Sequence, residues 1–263
     1  MRKAWFLLAV FVIAAPARED DFTFVILGDR TGGHHEGVYE AVVAQSLAEG
    51  ADFYVSVGDQ IEGLTFDPDE IDAQWAEYFK IIEPVPVVVH LTPGNHDIWD
   101  DASLGPWREW TGCEPDYSFD YSGVHFVVLD TSRWYFTVNL PEATFAWLED
   151  DLSSHDDARL TLVFTHKPLI YNTLTENEGD RLHRIFLEHG VDGVFTGHLH
   201  TYLRTVYDAI PYVTIGTSGG HIEEGDFFQY AVVKVTGDSY TIEIVPLDSE
   251  ERYGRDLVSI TDL

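Results

Sequence analysis

The chain has 263 residues and contains a single cysteine, Cys113. One cysteine cannot form an intramolecular disulfide, so a small scaffold held together by disulfides is excluded. An apolar core must stabilise the fold instead, and a chain of this length can bury one good core. We therefore expect a single folded domain.

Basic residues are scarce as well. The chain has 15 Lys and Arg against 46 Asp and Glu, which gives a formal net charge of −31. This negative field repels nucleic acids and anionic membranes, so neither is an expected partner. It also repels a phosphate-bearing ligand unless a local group reverses it. The sequence carries no signal for the oligomeric state.

Long hydrophobic runs are absent apart from one near the N-terminus. Residues 4–15 are apolar, follow the basic pair Arg2 and Lys3, and precede an A-x-A site that ends at Ala17. This is the arrangement of a signal peptide, and the run is too short to cross a bilayer comfortably. We expect cleavage after Ala17, a mature domain over residues 18–263, and an exported protein, periplasmic or secreted, without a stable membrane anchor. An uncleaved anchor is the alternative.

The first half of the chain alternates between strand and helix patterns. Apolar runs over 22–28, 52–57 and 86–91 predict strands, and the spacing of apolar residues over 38–48 and 71–82 predicts helices. Strand-helix-strand order predicts right-handed crossovers and a parallel sheet.

The second half predicts more strands. It predicts a hairpin over 117–129, a helix opening at Pro141, strands over 160–164 and 191–195, a helix over 180–189, and antiparallel strands from 202 to 246. Residues 98–116, in contrast, show no regular pattern. The prediction is one domain with two sheets and outer helices.

Polar side chains follow five predicted strands at the point where each strand ends. They are Asp29, Asp59, Asn95 with His96, His166, and His198 with His200. Ligands of α/β sheets bind outside the carboxyl ends of the strands. One such residue alone is commonly a helix cap or a hydrogen-bonded core group. Together, carboxylate, amide and imidazole groups are typical ligands of divalent metals.

The number of donors exceeds the need of one tetrahedral ion. A carboxylate that bridges two sets of ligands builds a two-metal site about 3.5–4 Å across. The sequence therefore predicts such a site at this edge of the sheets.

These motifs resemble those of the calcineurin-like metallophosphoesterases, which run D-x-H, G-D, G-N-H-[DE], H and G-H-x-H. The resemblance spans most of the mature chain and implies a four-layer αββα sandwich of two mixed β-sheets flanked by helices. It implies that Asp59 bridges two divalent or trivalent ions (Fe, Mn, Mg or Zn). Asp29 and His200 would bind one ion, and the other would be bound by Asn95, His166 and His198.

The same resemblance implies an exported enzyme that hydrolyses small phosphate mono- or diesters. A metal-bound hydroxide would attack phosphorus, His96 would bind phosphate or protonate the leaving oxygen, and Asp97 would orient the His96 ring. The alternative is a non-catalytic protein that keeps the fold as a scaffold for partners. The nearly complete set of ligands favours the enzyme.

One position departs from the family pattern, because Thr31 stands where the first motif has histidine. Purple acid phosphatases, a related branch, also lack that histidine and have a tyrosine three residues after the bridging aspartate, where this chain has Glu62. A Glu62 carboxylate could complete the first metal site and would favour iron, manganese or magnesium over zinc. His34, His35 or a water are alternative donors, and Glu62 could also be a surface acid.

Further candidates surround the predicted site. Arg30 could offer a planar pair of donors to a phosphate, or could pair with a carboxylate. His221 follows two glycines and could lie at the rim of the site. Aromatic residues of the two long loops could form a substrate wall, although tryptophans more often belong to the core; these are Trp99, Trp107, Trp110, Trp134 and Tyr135.

Overall fold

The computed structural model describes residues 21–133, 140–169 and 181–248, and the backbone of a last strand at 253–259. The strands are β1 (Phe22–Leu27), β2 (Phe53–Ser56), β3 (Val89–Leu91), β4 (Tyr117–Tyr121), β5 (Val124–Leu129), β6 (Leu160–Thr165), β7 (Gly193–Thr196), β8 (Leu203–Tyr207), β9 (Ile210–Thr214), β10 (Gln229–Thr236), β11 (Ser239–Pro246) and β12 (Tyr253–Ser259). The helices are α1 (Val38–Ser46), α2 (Pro68–Ile82), α3 (Leu104–Thr111), α4 (Glu142–Ser154) and α5 (Arg181–Glu188), and a 3₁₀ turn (Leu47–Glu49) extends α1.

These strands form two six-stranded sheets. The first has the order β12-β11-β10-β1-β2-β3 and the second has the order β4-β5-β6-β7-β9-β8. Strands β1, β2 and β3 are parallel, and β10 adds to β1 in the antiparallel direction. In the second sheet β5, β6, β7 and β9 are parallel, with antiparallel β4 and β8 at the edges. Both sheets are mixed, as predicted.

The layers follow from the alternation of side chains along each strand. In β1, Phe24 and Ile26 pack into the core between the two sheets, whereas Val25 and Leu27 pack beneath the helices of the first sheet. In β5, Phe126 faces the inter-sheet core, and its neighbours in sequence face the helices of the second sheet. The predicted four-layer αββα sandwich is confirmed.

Aromatic rings lock the two sheets together. Phe24 stacks on Phe53 of the neighbouring strand with ring centroids 5.0 Å apart, and Phe126 of the other sheet meets Phe24 edge-on at 5.6 Å. Such pairs contribute about 0.5–1.5 kcal/mol each beyond the burial of their area. This contact fixes the two sheets relative to each other and so positions the loops at their edges.

Four local features differ from the sequence prediction. Residues 98–116 contain α3, whose Trp107 is fully buried against Trp75 with centroids 5.9 Å apart. Strand β3 is shorter than the apolar run before it, in which Pro86 has no N–H for a ladder hydrogen bond. Strand β9 is parallel to β7, because a period of two does not specify direction. Strand β12 had no recognisable pattern in the sequence.

The tryptophans of the first long loop belong to the protein interior more than to a substrate wall. Trp110 stacks on Phe79 and donates a hydrogen bond to Asp72 at 2.8 Å, while Trp99 packs on the same core as Trp107. Trp134 and Tyr135 lie outside the described residues.

The predicted signal peptide and its cleavage site also lie outside the described residues. Within the described ranges, no helix combines the length and the apolar character that a membrane crossing requires.

Candidate metal centre

Four potential ligand atoms from both sheets surround one point at the ends of the parallel strands. The Nε2 atom of His166, after β6, lies 3.1 Å from Oδ1 of Asn95, after β3. The same nitrogen lies 3.3 Å from Oδ2 of Asp59, after β2, and 3.2 Å from Nδ1 of His198, after β7. The structure therefore brings together the four residues that the resemblance assigns to one ion.

The hydrogen-bonding pattern of these atoms suits a cation. The Nδ1 atom of His166 lies 2.8 Å from the carbonyl oxygen of Val57, which can only accept, so Nδ1 carries a proton. Nε2 faces the cluster, where it holds a second proton or, once an ion replaces that proton, presents its lone pair. The facing oxygens of Asn95 and Asp59 are acceptors too. One positive charge among these acceptors would satisfy all of them.

The ionisable groups respond to this crowding. Burial favours a neutral Asp59, but the charge of His166 and its hydrogen bond lower the pKa of Asp59 to about 2. Burial disfavours a charged His166, yet the Asp59 carboxylate raises the pKa of His166 to about 9. Burial, followed by repulsion from His166, lowers the pKa of His198 to about 3. The cluster thus attracts one positive charge and resists a second proton.

A second pair of donors lies beside the first cluster. Oδ2 of Asp29, after β1, lies 3.5 Å from Nε2 of His200, whose Nδ1 lies 2.8 Å from the carbonyl oxygen of His221. Asp29 is fully buried, and its Oδ1 atom has no hydrogen-bond partner among the described residues. A buried carboxylate oxygen without a partner is costly unless a cation satisfies it. Asp29 Oδ2 and His200 Nε2 thus offer an ion two donors, while the unpaired Oδ1 lies on the side of the first cluster, 3.6 Å from Nδ1 of His166.

The backbone is strained at three of these residues. Asp59, His198 and His200 have φ angles of 56°, 72° and 59°. A residue other than glycine in this left-handed region costs of order 1–3 kcal/mol, and such residues cluster at functional sites.

Two glycines make the close approach of the loops possible. A Cβ atom on Gly58 would lie 2.4 Å from Nδ1 of His166, and one on Gly94 would lie 2.1 Å from Oδ1 of Asp59. Larger residues would push the ligands apart, which explains why glycine precedes both Asp59 and Asn95.

Thr31 joins two loops where the family pattern has a histidine. Its buried hydroxyl lies 2.6 Å from the carbonyl oxygen of Ile61 and 3.0 Å from that of Asp59. Because both carbonyls only accept, the single hydroxyl proton is shared between them, and Thr31 ties its loop to the loop of Asp59.

Glu62, the predicted replacement ligand, contacts two histidines. Its Oε1 accepts a hydrogen bond from Nδ1 of His34 at 2.9 Å, and its Oε2 lies 3.7 Å from Nδ1 of His96. The ring of His35 packs edge-on against Phe228. The ligand role of Glu62, and of His34 as its alternative, stays a prediction.

The predicted orientation of His96 by Asp97 is wrong. The Nδ1 atom of His96 donates to the carbonyl oxygen of Glu62 at 2.7 Å. The buried carboxylate of Asp97 instead accepts hydrogen bonds from backbone N–H groups of both ligand loops, at 2.7–3.1 Å; the donors are Asp59, Gln60, Ile61 and Gly94. Asp97 therefore positions the loops that carry Asp59 and Asn95.

Three histidines of the site are oriented by backbone carbonyls. A carbonyl has no signature in the sequence, so these contacts were not predicted. Val57, Glu62 and His221 hold His166, His96 and His200, respectively. The ring of His221 is exposed and lies 3.0 Å from the Glu223 carboxylate, so it lies at the surface as expected. Its substrate role stays a prediction.

Arg30 has a carboxylate partner, the alternative that the sequence left open, and its phosphate contact stays a prediction. Its buried guanidinium donates to the carbonyl oxygen of Gln60 at 3.0 Å and lies 2.9 Å from Oε1 of Glu77 on α2. Both terminal nitrogens, Nη1 and Nη2, thus have a partner within the protein, because the side chain lies between Gln60 and α2.

Replacing Arg30 by methionine tests this assignment. We expect the free energy of unfolding to fall by about 1–3 kcal/mol, since the buried carbonyl of Gln60 loses its donor. The KM for a phosphoester should change by less than about twofold. Urea unfolding and steady-state kinetics measure the two effects. Glu77→Gln is the control, because it weakens only an exposed ion pair. If Arg30→Met keeps full stability and raises KM about tenfold, Arg30 binds the phosphate after all.

The four-layer sandwich and the cluster of potential ligands at its strand ends agree with a comparison against protein families. Residues 22–202 match the family model described as Calcineurin-like phosphoesterase. The chain belongs to the calcineurin-like phosphoesterase family.

Similar proteins include phosphatases from plants and animals. Purple acid phosphatase 23 of Arabidopsis thaliana is 32% identical over 58% of this chain and 39% of its own length. Serine/threonine-protein phosphatase CPPED1 of Rattus norvegicus is 26% identical over 87% of this chain and 79% of its own length. The chain therefore spans well under two thirds of that purple acid phosphatase.

A solved structure shares the fold. Purple acid phosphatase PPD1 from yellow lupin (Lupinus luteus) seeds superposes with a TM-score of 0.70 over 91% of this chain and 54% of that chain, at 18% sequence identity. The likeness extends beyond the residues matched by the family model and includes most of both sheets.

Proposed function

We propose that this chain is a dinuclear metal-dependent phosphoesterase that hydrolyses small phosphate mono- or diesters. The observation that carries the proposal is the convergence of Asp59, Asn95 and His198 within 3.1–3.3 Å of His166 Nε2. Family membership and the phosphatase relatives support a hydrolase.

Two sets of residues would hold the ions. Asp59, Asn95, His166 and His198 would hold one, and Asp29 and His200, with Asp59 shared, would hold the other. When bound, the two ions would neutralise phosphate charge and activate water. They would also reverse locally the repulsion that a chain of formal charge −31 exerts on a phosphate. If Glu62 completes the second set, its oxygen donors would favour Fe, Mn or Mg over Zn there.

His96 would act on the substrate from beside these ligands. Because its Nδ1 donates to the Glu62 carbonyl, Nε2 is the remaining ring nitrogen, and it has no hydrogen-bond partner among the described residues. A Cβ atom on Gly32 would lie 3.6 Å from that nitrogen and 3.3 Å from Nε2 of His200, so both nitrogens border the same small space. A proton held on His96 Nε2 could be given to the leaving oxygen there.

Metal analysis of purified protein, paired with hydrolysis of one aryl monoester and one aryl diester, tests the proposal. We expect two ions per chain and hydrolysis of at least one ester, lost after chelation and regained when metal is returned. The relative rates would give the preferred ester class. Two bound ions without hydrolysis of either ester would favour the scaffold instead.

We also propose that the protein is exported and that residues 1–17 are removed. The support is the basic pair, the apolar run and the A-x-A site in the sequence. N-terminal sequencing of protein recovered from an exporting host should give a start at or near Arg18. Recovery of the full-length chain in the membrane fraction would contradict cleavage and indicate an anchor.

A further inference from the structure

A second cluster of ionisable side chains lies where the β4–β5 hairpin packs beneath α4. It consists of Asp120 on β4, His125 on β5, Asp151 on α4 and His155 just after α4. Asp120 and His125 are direct partners in the hairpin register. His125 pairs with Thr161 near the start of β6, whereas His166 follows the end of that strand. The cluster is therefore roughly 15 Å along the sheet from the strand-end metal centre.

His125 is completely buried between two carboxylates. Its Nε2 lies 2.9 Å from Oδ2 of Asp151, and its Nδ1 lies 2.8 Å from Oδ1 of Asp120. The other oxygen of Asp151 accepts a hydrogen bond from the hydroxyl of Ser118 at 2.7 Å. Because a carboxylate oxygen can only accept, Nε2 donates to Asp151 and Nδ1 donates to Asp120. A metal ion bound at Nδ1 would take the place of that proton, while Asp151 still holds the ring from the helix side.

His155 is fixed in a corresponding way by the backbone of the same residue. Its Nδ1 lies 2.7 Å from the carbonyl oxygen of Asp151, which can only accept, so the ring proton belongs on Nδ1. The free Nε2 then faces Oδ2 of Asp120 at 3.8 Å. Its side chain is about one third exposed, at 32%, so solvent and small ions reach it.

The result is a set of three donors, of which the two histidines each have an outer partner on Asp151. Donor atoms of Asp120, His125 and His155 all lie within 4.8 Å of one another. A histidine that binds metal commonly donates its other ring N–H to a carboxylate or a backbone carbonyl, which orients the ring. Asp151 supplies one of each: its carboxylate to His125 and its carbonyl to His155.

We propose that Asp120, His125 and His155 form a further metal site for one zinc-like divalent cation. Two imidazole nitrogens and one carboxylate suit Zn²⁺, with water in the fourth position. The positive charge of the ion would also neutralise part of the negative charge of the two carboxylates that contact His125.

Binding requires one adjustment. The two rings stack with centroids 3.8 Å apart and an interplanar angle of 12°, so their nitrogens do not yet face a common point. On binding, His155, the more exposed ring, would turn about its side-chain bonds and lengthen its hydrogen bond to the Asp151 carbonyl, while His125 stays in place. The ion would then tie the hairpin to the end of α4 and stabilise the fold without touching the substrate.

Anomalous diffraction from crystals of the full chain grown with Zn²⁺ tests the site directly. We expect a peak about 2.0–2.2 Å from His125 Nδ1, His155 Nε2 and a carboxylate oxygen of Asp120. In solution, Zn²⁺ analysis after dialysis should find one ion fewer per chain in His155→Phe than in the parent. Phenylalanine keeps the stack on His125 and removes the ligand nitrogen, and affinity at this site should fall at least about tenfold.

Two further variants keep the test decisive. Asp120→Asn removes the charged ligand with little change in volume, and it gives the answer if His155→Phe does not fold. His189→Phe makes the same substitution at a histidine outside the cluster, and it should bind as many ions as the parent. Equal zinc content in parent and both cluster variants, or zinc density at the strand-end centre with none at Asp120, overturns the proposal.

Discussion

Replacing His96 by asparagine should slow phosphoester hydrolysis by about 10²–10⁴-fold while leaving the metal content unchanged. The ring Nδ1 is held by the Glu62 carbonyl, and Nε2 is the nitrogen left for the substrate. Asparagine can still donate to that carbonyl, so the loop should keep its position. The lost function is a proton donor or phosphate contact at Nε2, which acts on the transition state rather than on the metal.

The leaving group distinguishes the two roles of His96. If the residue gives a proton to the leaving oxygen, the loss should be larger for an alkyl ester than for a nitrophenyl ester, whose leaving oxygen needs no proton. If it only binds phosphate, the hydrolysis rates of both esters should fall by the same factor. Rates on the two esters, with metal analysis of the same samples, decide this. His189→Asn is the matched control, and simultaneous loss of metal and activity in His96→Asn would make His96 structural.

The strand-end ligands were predictable from the sequence because each motif is local and the fold brings the motifs together. A polar residue directly after a buried strand must emerge at the edge of its sheet. The structure places Asp59, Asn95, His166 and His198 in contact at that edge. Only the resemblance, however, assigned each residue to a particular ion.

The orientation of the site side chains could not be predicted in the same way. The partner of His96 is a backbone carbonyl of Glu62, and a carbonyl has no signature in a sequence. Arg30 could bind either a phosphate or a carboxylate, and the choice depends on where α2 places Glu77. In both cases the deciding group is distant along the chain and becomes a neighbour only in the folded protein.

Other contacts depended on register. Asp120 and His125 lie opposite each other only because the hairpin turns at Ser122 and Gly123, and α4 must then cross above them to add His155. No linear motif joins these positions. Similarly, Gly105 and Pro106 hide the helical pattern of α3, and only the packing of Trp107 reveals its buried face.

Asp97 is where a single substitution should cost the most stability. It is 1% exposed, and each of its oxygens accepts two backbone hydrogen bonds. Oδ2 accepts from Asp59 and Gly94, and Oδ1 accepts from Gln60 and Ile61. Burial, followed by the charge of Asp59, raises the pKa of Asp97 to about 7, whereas these hydrogen bonds favour the ionised carboxylate. Removing the group therefore leaves four buried donors without an acceptor.

Asp97→Ala should lower the free energy of unfolding by at least about 3 kcal/mol, because each buried polar group left unsatisfied costs about 1–3 kcal/mol. The free energy of unfolding of Asp97→Asn should lie between those of the parent and Asp97→Ala. Its amide oxygen can still accept from one pair of N–H groups, whereas its NH₂ group faces the other pair, which are also donors. Both variants should also weaken metal binding, because the loops of Asp59 and Asn95 lose their shared anchor. Urea unfolding and metal titration measure these effects, with the exposed Asp238→Asn as control. If Asp97→Ala keeps full stability and metal content but loses activity, Asp97 does not anchor the loops and instead orients the His96 ring.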